Sequence, residues 1–302
     1  MFIKKIEAPG VRIATSDAVL HLNSTGPKTA VSILIEAGAA CSSPHYSYLQ
    51  KALAKQLQVY SYDRAGNGWS DTSKNPRDSE SIAVELSQLL DAASIKGPLV
   101  FVGHSAACFH LKVFAHRYPE RVAAIVLLDP SNPVQEQVLG LRVHTPALKR
   151  NYRKMQWVAQ LGLAGFYSPL FTLSSPKISP LSDSAKQQLA WIYKQAKTYV
   201  TSEAEYAQFA NSAKQALAVP CFGDLPLKVI TGPDRTHDGD LNLPIQRKRW
   251  MDLQADIASW STHGDHIVIE EAGHMTLFTE KKNAQRVAVE IINFCREYGF
   301  DT

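Results

Sequence analysis

The chain has 302 residues, 45% of them hydrophobic and 20% charged, with a formal net charge of +4. This composition predicts a globular protein with a sizeable apolar core, and the small net charge argues against a nucleic-acid partner. No segment has the length and hydropathy of a membrane span, and no apolar stretch of signal-peptide length follows the first residues. We therefore expect a cytoplasmic protein with no membrane span.

The four cysteines bear on metal binding. Cys41, Cys108, Cys221 and Cys295 are widely separated, and none are paired at the spacing of zinc ligands. Scattered cysteines also suit a reducing compartment. The sequence therefore predicts no metal site, and it leaves the oligomeric state open.

The first third of the chain begins with three short apolar or alternating runs, at residues 11–14, 19–22 and 31–35. Turn-forming residues separate these runs, which favours an antiparallel start that leads into a buried strand. The third run is followed by a loop of small residues at 36–40. Such a loop can bring backbone N–H groups close to a ligand, or it can be a tight turn and nothing more.

A helix and a strand are predicted next. Apolar residues recur at helical spacing between residues 46 and 57, and residues 57–62 have the pattern of a strand. The strand ends in a turn-rich loop at 63–70, which begins with Asp63 and Arg64. We interpret this loop as structural, because charge-assisted hydrogen bonds from its two charged side chains would fix it.

Residues 99–107 have the pattern of a strand, a tight turn and the start of a helix. Four apolar residues precede the sequence Gly-His-Ser-Ala-Ala, and a helical pattern continues beyond it. A serine at the tip of such a turn has a strained backbone and an exposed hydroxyl, and the small Gly103 and Ala107 let strand and helix approach. The helix N-terminus would stabilise negative charge on a carbonyl oxygen under attack. The pattern predicts that Ser105 is a nucleophile, although a five-residue match alone can arise by chance.

Another buried strand is predicted at residues 122–128, directly before Asp129. The alternation of strands and helices up to this point predicts a parallel sheet with helices on both faces. Ligands of such sheets bind at the carboxyl ends of the strands. Residues 36–40, Ser105 and Asp129 all follow predicted strands, so we expect them to lie at one edge of the sheet.

Residues 131–220 interrupt the alternation with helical patterns and no strand pattern. We predict a helical cap inserted between two segments of one core domain, residues 1–130 and 221–302. The aromatic residues of the insertion either form a small core of their own or line an apolar substrate pocket, or both. They include Tyr152, Trp157, Phe166, Tyr167, Phe171, Trp191, Tyr193, Tyr199 and Phe209.

The predicted sheet resumes after the insertion. A strand at 225–231 is followed by a polar loop at 232–240, a helix at 245–262 and a strand at 266–270. A closing helix is predicted from about residue 283 to residue 298. These elements complete an α/β architecture.

Ten histidines are candidates for the base that activates the serine. The base must lie on a loop at the carboxyl edge of the sheet. His104 adjoins the serine, but its side chain should point away from it, and His110, His116 and His266 lie in predicted elements or at their far ends. His274 follows a late strand next to a glycine, so we predict that it is the base; without the serine it would be interpreted as a capping residue.

The acid that orients the imidazole has several candidates. Asp129 ends a strongly apolar strand, whereas Asp234, Asp238 and Asp240 lie in a run rich in turn-forming residues. We predict that Asp129 is the acid. Asp234 remains the alternative.

Taken together, these motifs resemble the α/β-hydrolase superfamily over nearly the whole chain. The resemblance implies a serine hydrolase, similar to the esterases, with a mostly parallel central sheet, helices on both faces and a helical cap. Ser105 would be the nucleophile, His274 the base and then the acid, and Asp129 the orienting carboxylate. The backbone N–H groups of Ala39 and Ala106 would form the oxyanion hole. The motifs are residues 36–39, 63–70, 103–107, 126–130 and 273–274.

The chain also departs from the superfamily's pattern. Many relatives carry His-Gly before the oxyanion residue, where this chain has Ala37 and Gly38, and the last glycine of the serine turn is replaced by Ala107. Dehalogenases and epoxide hydrolases of this fold use an aspartate nucleophile. Ser105 argues against both of these chemistries.

These observations together predict an enzyme that cleaves an ester or a related acyl bond of a small or medium hydrophobic substrate. The reaction would pass through an acyl-enzyme and would need no cofactor. Acyl transfer by the same three residues is an alternative. A ligand-binding protein without catalytic activity is another, because one fold hosts many functions.

Overall fold

The computed structural model describes residues 6–164, 177–178, 180–235, 241 and 243–300. Eight strands in this part of the chain form one sheet. They are β1 (Val11–Ala14), β2 (Val19–Thr25), β3 (Ser32–Glu36), β4 (Val59–Asp63), β5 (Leu99–His104), β6 (Val122–Leu128), β7 (Leu227–Thr231) and β8 (Gly264–Val268).

The sheet is parallel except at one edge. Its strand order is β1-β2-β4-β3-β5-β6-β7-β8. β2 pairs antiparallel with both β1 and β4, whereas every other neighbouring pair is parallel. β5 lies between β3 and β6 and is buried along its whole length. The turn that follows β5 therefore opens at the middle of the carboxyl edge.

Helices account for most of the remaining described residues. No helix of the described ranges is long and apolar enough to cross a lipid bilayer. The helices are α1 (Ser47–Leu53), α2 (Ser79–Ala92), α3 (Ala107–Arg117), α4 (Gln135–Leu139), α5 (Pro146–Gln160), α6 (Asp183–Ile192), α7 (Ala196–Ala207), α8 (Phe209–Ala218), α9 (Pro244–Ala258), α10 (Thr276–Thr279) and α11 (Lys281–Glu297).

Apolar cores lie on both faces of the sheet. Alternate residues of a strand point to opposite faces, so Phe101 packs in one core while Val100 and Val102 pack in the other. The first core is closed by α2, α3, α8 and α9, and the second by α1, α10 and α11. This two-sided burial explains why the parallel strands are continuous apolar runs in the sequence.

The predicted fold class, an α/β sheet with helices on both faces, is confirmed. Between β6 and β7 the described residues form helices α4 to α8 and no strand; we call these five helices the helical insertion. Its division from the core as a separate cap stays a prediction. Phe166, Tyr167 and Phe171 lie outside the described residues.

Among the element boundaries that differ from the prediction are those of the last strand and of the helix before it. The last strand is Gly264–Val268 because its pairing with β7 begins at Gly264, whereas the apolar run that suggested 266–270 continues past the ladder. The helix predicted to end at residue 262 ends at Ala258. Trp260 continues the apolar periodicity because it packs against Phe222 after the helix has ended.

Candidate active site

Ser105 lies in the turn between β5 and α3, with a φ angle of 55°. This left-handed conformation is rare for a residue other than glycine and marks a strained turn. A Cβ atom on Gly103 would lie 2.5 Å from Leu111 and 3.3 Å from Ala107. The small residues on either side of the serine are therefore required by the close approach of strand and helix.

The backbone of Ser105 is tied to the neighbouring strand and to the loop that follows it. Its N–H donates to the carbonyl of Leu128 at 3.2 Å, and its carbonyl accepts from the N–H of Ser131 at 3.0 Å. The hydroxyl of Ser105 lies 3.4 Å from that of Ser131. Sequence reasoning missed Ser131, because a serine after Asp-Pro is typical of an ordinary turn.

Asp129 and His274 are brought together although 145 positions separate them in the chain. His274 Nδ1 lies 2.5 Å from Asp129 Oδ2. The carboxylate is fully buried, while the imidazole keeps 23% of its side-chain surface exposed. Asp129 also has a positive φ, 43°, directly after β6. The structure thus brings the residues predicted as orienting acid and base within hydrogen-bond distance, and their roles stay predictions.

Arg235 is a second partner of Asp129 that the sequence did not reveal. Its Nη2 atom donates to both carboxylate oxygens, at 2.7 and 2.6 Å, and its guanidinium lies 4.4 Å from the ring centre of Trp250. Trp250 Nε1 donates to Asp129 Oδ1 at 3.1 Å. Burial by itself would raise the pKa of Asp129, but the Arg235 charge and the His274 hydrogen bond outweigh burial and hold the pKa well below its usual value.

The backbone of the alternative acid, Asp234, contacts the loop that carries His274. We call this loop, residues 269–275, the base loop. The N–H of Asp234 donates to the carbonyl of Ala272 at 3.0 Å, and Asp234 forms an isolated parallel bridge with Gly273. A Cβ atom on Gly273 would lie 2.6 Å from the Asp234 carbonyl oxygen, so a glycine is needed before His274 for this close approach. Asp238 and Asp240 lie outside the described residues.

The two predicted oxyanion amides lie near the serine. Ala106 is the residue before α3, and Ala39 lines the same cavity as Ser105. Among the described residues, the N–H groups of Ala39 and Ala106 have no hydrogen-bond partner. Both groups can therefore donate to a substrate oxygen. The next N–H along the loop, that of Ala40, donates to Glu205 Oε2 at 2.8 Å.

His104 is buried in a hydrogen-bond chain of its own. Its Nδ1 lies 3.1 Å from the Tyr46 hydroxyl, which accepts from the N–H of Gly38 at 2.9 Å. Its Nε2 donates to the carbonyl of His274 at 3.1 Å. Burial lowers the pKa of His104 well below its usual value. The imidazole thus remains neutral and links the small-residue loop to the base loop.

The other candidate histidines are remote from Ser105 in their contacts. His110 is buried on α3 with its Nδ1 2.9 Å from the Ser79 hydroxyl, and His116 is exposed on the same helix. His266 lies on β8 with its Nε2 2.9 Å from the Thr231 hydroxyl. None of the three has a contact with the serine among the described residues.

A cavity of about 480 Å³ is lined by Ser105 and His274 together. No carboxylate side chain of the described residues lines it. Within the same ranges, no group of three or more His, Cys, Asp or Glu side chains is arranged to hold a metal ion. The cavity lining includes the hydroxyl of Ser105 and the imidazole of His274, together with the Lys177 amine and the thiol of Cys41, whose pKa burial raises to about 12.

The helical insertion contributes aromatic rings to this cavity. Burial raises the pKa values of Tyr152, Tyr193 and Tyr206, so their phenols stay protonated. The Tyr193 hydroxyl lies 3.0 Å from Nε2 of His45. The wall therefore combines apolar ring faces with neutral hydroxyl groups. The four tyrosines of the lining are Tyr152, Tyr193, Tyr199 and Tyr206.

Comparison with known proteins agrees with this architecture. Residues 33–154 match the family model described as alpha/beta hydrolase fold. An epoxide hydrolase from Acinetobacter nosocomialis superposes with a TM-score of 0.71 at 16% identity, over 96% of this chain and 90% of the other. The chain has the α/β-hydrolase fold. An esterase from Thermogutta terrifontis, solved with malate, superposes on this chain with a TM-score of 0.62 at 20% identity, over 95% and 98% of the two chains.

Curated relatives of this chain match over shorter segments. A Gibberella zeae protein named as an AB hydrolase superfamily member is 36% identical over 103 residues, which is 34% of this chain and 32% of the relative. The match thus spans about a third of that relative's length. The two solved structures share only 20% and 16% of their residues with this chain, so their similarity to it shows the fold alone.

Proposed function

We propose that the chain is a serine hydrolase that cleaves an ester or a related acyl bond through an acyl-enzyme. One observation carries the proposal: Ser105, strained at the N-terminus of α3, lines the same cavity as His274, whose Nδ1 contacts the buried carboxylate of Asp129. A nucleophile, a base and an orienting acid in this arrangement are the parts that acyl transfer to water requires.

The proposed reaction begins with His274. Its Nδ1–H donates to Asp129, which leaves Nε2 to accept a proton. The Ser105 hydroxyl bonds to Ser131 in this conformation, so a χ1 rotation must turn it towards the imidazole. As Ser105 Oγ forms a bond to the carbonyl carbon, its proton passes to Nε2 and the carbonyl oxygen becomes an oxyanion.

The oxyanion would be stabilised by the N–H groups of Ala39 and Ala106 and by the dipole of α3. Collapse of the tetrahedral intermediate breaks the bond to the alcohol, which leaves with the proton from His274. Water then attacks the acyl-enzyme with the imidazole as base again, and this step releases the acid and restores Ser105.

The fold neighbours include an epoxide hydrolase, yet Ser105 supports acyl chemistry instead. The resemblance to the superfamily implies that epoxide opening on this fold needs an aspartate nucleophile. This chain has a serine at that position. A cavity of about 480 Å³ accommodates a small or medium substrate. Its tyrosine rings favour an apolar acyl group, and their hydroxyls can bind polar substituents.

The test is the intact mass of the protein after treatment with a fluorophosphonate. We expect one adduct on the wild type and none on Ser105→Ala, because phosphonylation needs the activated serine. Ser131→Ala removes the neighbouring hydroxyl and should still carry one adduct. A folded wild type that takes no adduct, or an adduct that persists on Ser105→Ala, would contradict the proposal and favour a ligand-binding role.

A further inference from the structure

A buried arginine, Arg64, donates hydrogen bonds to the loop that carries Ala39. Arg64 follows β4 and is 1% exposed. Its Nη1 donates to the carbonyl of Ala37 at 2.5 Å, and its Nη2 donates to the carbonyl of Gly38 at 2.8 Å. Nη1 also donates to the buried Glu36 at 2.6 Å. Arg64, which the sequence predicts to fix its own loop by charge-assisted hydrogen bonds, thus also bonds to the end of β3 and to the loop that follows it.

The same arginine is bound by a carboxylate from the helical insertion. Glu205 lies on α7 and is 5% exposed. Its Oε1 accepts from Arg64 Nε at 2.9 Å, and its Oε2 accepts from Arg64 Nη2 at 3.1 Å. Asn67 Nδ2 also donates to Oε1 at 2.9 Å. A second loop contact comes from the N–H of Ala40, which donates to Oε2 at 2.8 Å.

These contacts fix both peptide planes that flank the Cα atom of Ala39. A trans peptide is planar, and its carbonyl and N–H point in opposite directions. Because the Gly38 carbonyl points at Arg64, the N–H of Ala39 in the same plane points away from Arg64. The following plane is fixed by the Ala40 N–H on Glu205.

Ala40 itself needs such restraint. Its φ angle is 58°, in the left-handed region that a residue with a Cβ atom avoids. The Cys41 N–H, which donates to the Gly38 carbonyl at 3.1 Å, closes the same turn. Loss of the Glu205 contact would leave the Ala40 N–H without a partner, so that the peptide plane between Ala39 and Ala40 could rotate and shift the Ala39 amide. Burial would raise the pKa of Glu205, but the charge and hydrogen bonds of Arg64, the charge of Arg77 and the Ala40 N–H together outweigh burial and lower the pKa, so the carboxylate stays ionised.

We propose that Glu205 is a positioning residue for the loop of residues 37–40, the oxyanion loop. Together with Arg64, it orients the Ala39 N–H towards the oxygen of the substrate. This inference rests on the proposed serine hydrolase function. It gives the helical insertion a part in the chemistry, because the N–H of Ala40, at the end of this loop, donates to a side chain of α7. The orientation of the oxyanion loop therefore depends on how α7 packs against the core.

The test compares Glu205→Gln with the wild type in two measurements. The first is the second-order rate of fluorophosphonate labelling, together with kcat and KM for 4-nitrophenyl butyrate. We expect the labelling rate and kcat to fall by roughly tenfold or more, with KM changed less, since a misdirected donor loses transition-state stabilisation. The second is amide hydrogen exchange at Ala40, which should become faster in the variant.

Glu85→Gln is the matched control. Glu85 is also buried, and it pairs with Arg77 and accepts from the N–H of Ala65 without contacting the Ala37–Ala40 carbonyls or amides. It should keep the wild-type rate and the wild-type exchange at Ala40. Equal slowing in both variants would show a general loss of stability and overturn the inference.

The outcomes separate this inference from the proposed function. A wild type that is labelled, with Glu205→Gln labelled at the same rate, overturns the inference and leaves the function standing. A wild type that is not labelled would contradict the proposed function. The difference in amide exchange at Ala40 between the wild type and Glu205→Gln then still decides whether Glu205 holds the loop. If Glu205→Gln does not fold, an unprotected Ala40 amide in the wild type overturns the inference.

Discussion

Arg235 donates from one nitrogen, Nη2, to both carboxylate oxygens of Asp129. The same carboxylate contacts Nδ1 of His274. A buried acid that already has a fixed cation partner stays ionised without the imidazole. Asp129 is therefore held in one charge state and one orientation, and its negative charge favours the imidazolium that the proposed reaction forms.

The two candidate acids can be separated by matched substitutions. We expect Asp129→Asn to reduce ester turnover by about 10⁴-fold, the scale of the same change in a protease triad, because the amide cannot accept from Nδ1–H in the same way. Asp234→Asn should leave turnover within about threefold of the wild type, since Asp234 meets the base loop through its backbone. Initial rates on 4-nitrophenyl butyrate, with far-ultraviolet circular dichroism as the folding check, decide between them. Loss of turnover only in Asp234→Asn would reverse the assignment.

The Arg235–Asp129 pair also predicts a pH dependence of stability. Asp129 has a lowered pKa in the folded state, so its contribution is present above the unfolded value of about 3.9 and is lost as the pH falls through the folded value. Arg235→Gln should lower the free energy of unfolding by about 3 kcal/mol at pH 7, because it leaves a buried carboxylate without its cation. The difference from the wild type should shrink below about pH 4.

Urea unfolding at pH 7, 5, 4 and 3 measures this difference. Arg12→Gln is the control, because Arg12 pairs with Asp71 at the surface, where the two side chains are 45% and 54% exposed. Its cost should stay within about 1 kcal/mol. A cost of Arg235→Gln that does not change between pH 7 and pH 3 would show that the pair does not act through the charge of Asp129.

Local patterns explain which features could be predicted from the sequence. Ser105, Asp129 and His274 each follow an apolar run, and parallel strands place such positions at one edge. Arg235 could not be found in this way, because its partner lies 106 positions away and its own segment has the polar composition of a solvated loop. Glu205 is 141 positions from Arg64. The first pairing depends on how two loops of the core pack and the second on how the helical insertion packs, and periodicity encodes neither.

The contact between the core and α7 also involves a glycine. Gly66 has a φ angle of 87°, and a Cβ atom there would lie 1.9 Å from the Thr201 hydroxyl oxygen and 2.8 Å from Thr201 Cβ. Thr201 is buried on the same helix as Glu205. A side chain at Gly66 would therefore strain the backbone and push against α7 at once.

We expect Gly66→Ala to lower the free energy of unfolding by roughly 2–4 kcal/mol, from the left-handed strain and the clash together. Gly97→Ala is the matched control, because Gly97 has a φ angle of 83° and nothing within 4 Å of the added Cβ; strain alone should cost about 1 kcal/mol there. In a Thr201→Ala background the cost of Gly66→Ala should fall, because the hydroxyl and methyl groups are gone, but it should stay above that of the control, because the remaining Cβ atom at position 201 still lies 2.8 Å from the added one. Urea unfolding of the four proteins of this double-mutant cycle tests the coupling. An equal cost of Gly66→Ala in both backgrounds would mean that α7 does not press on this loop.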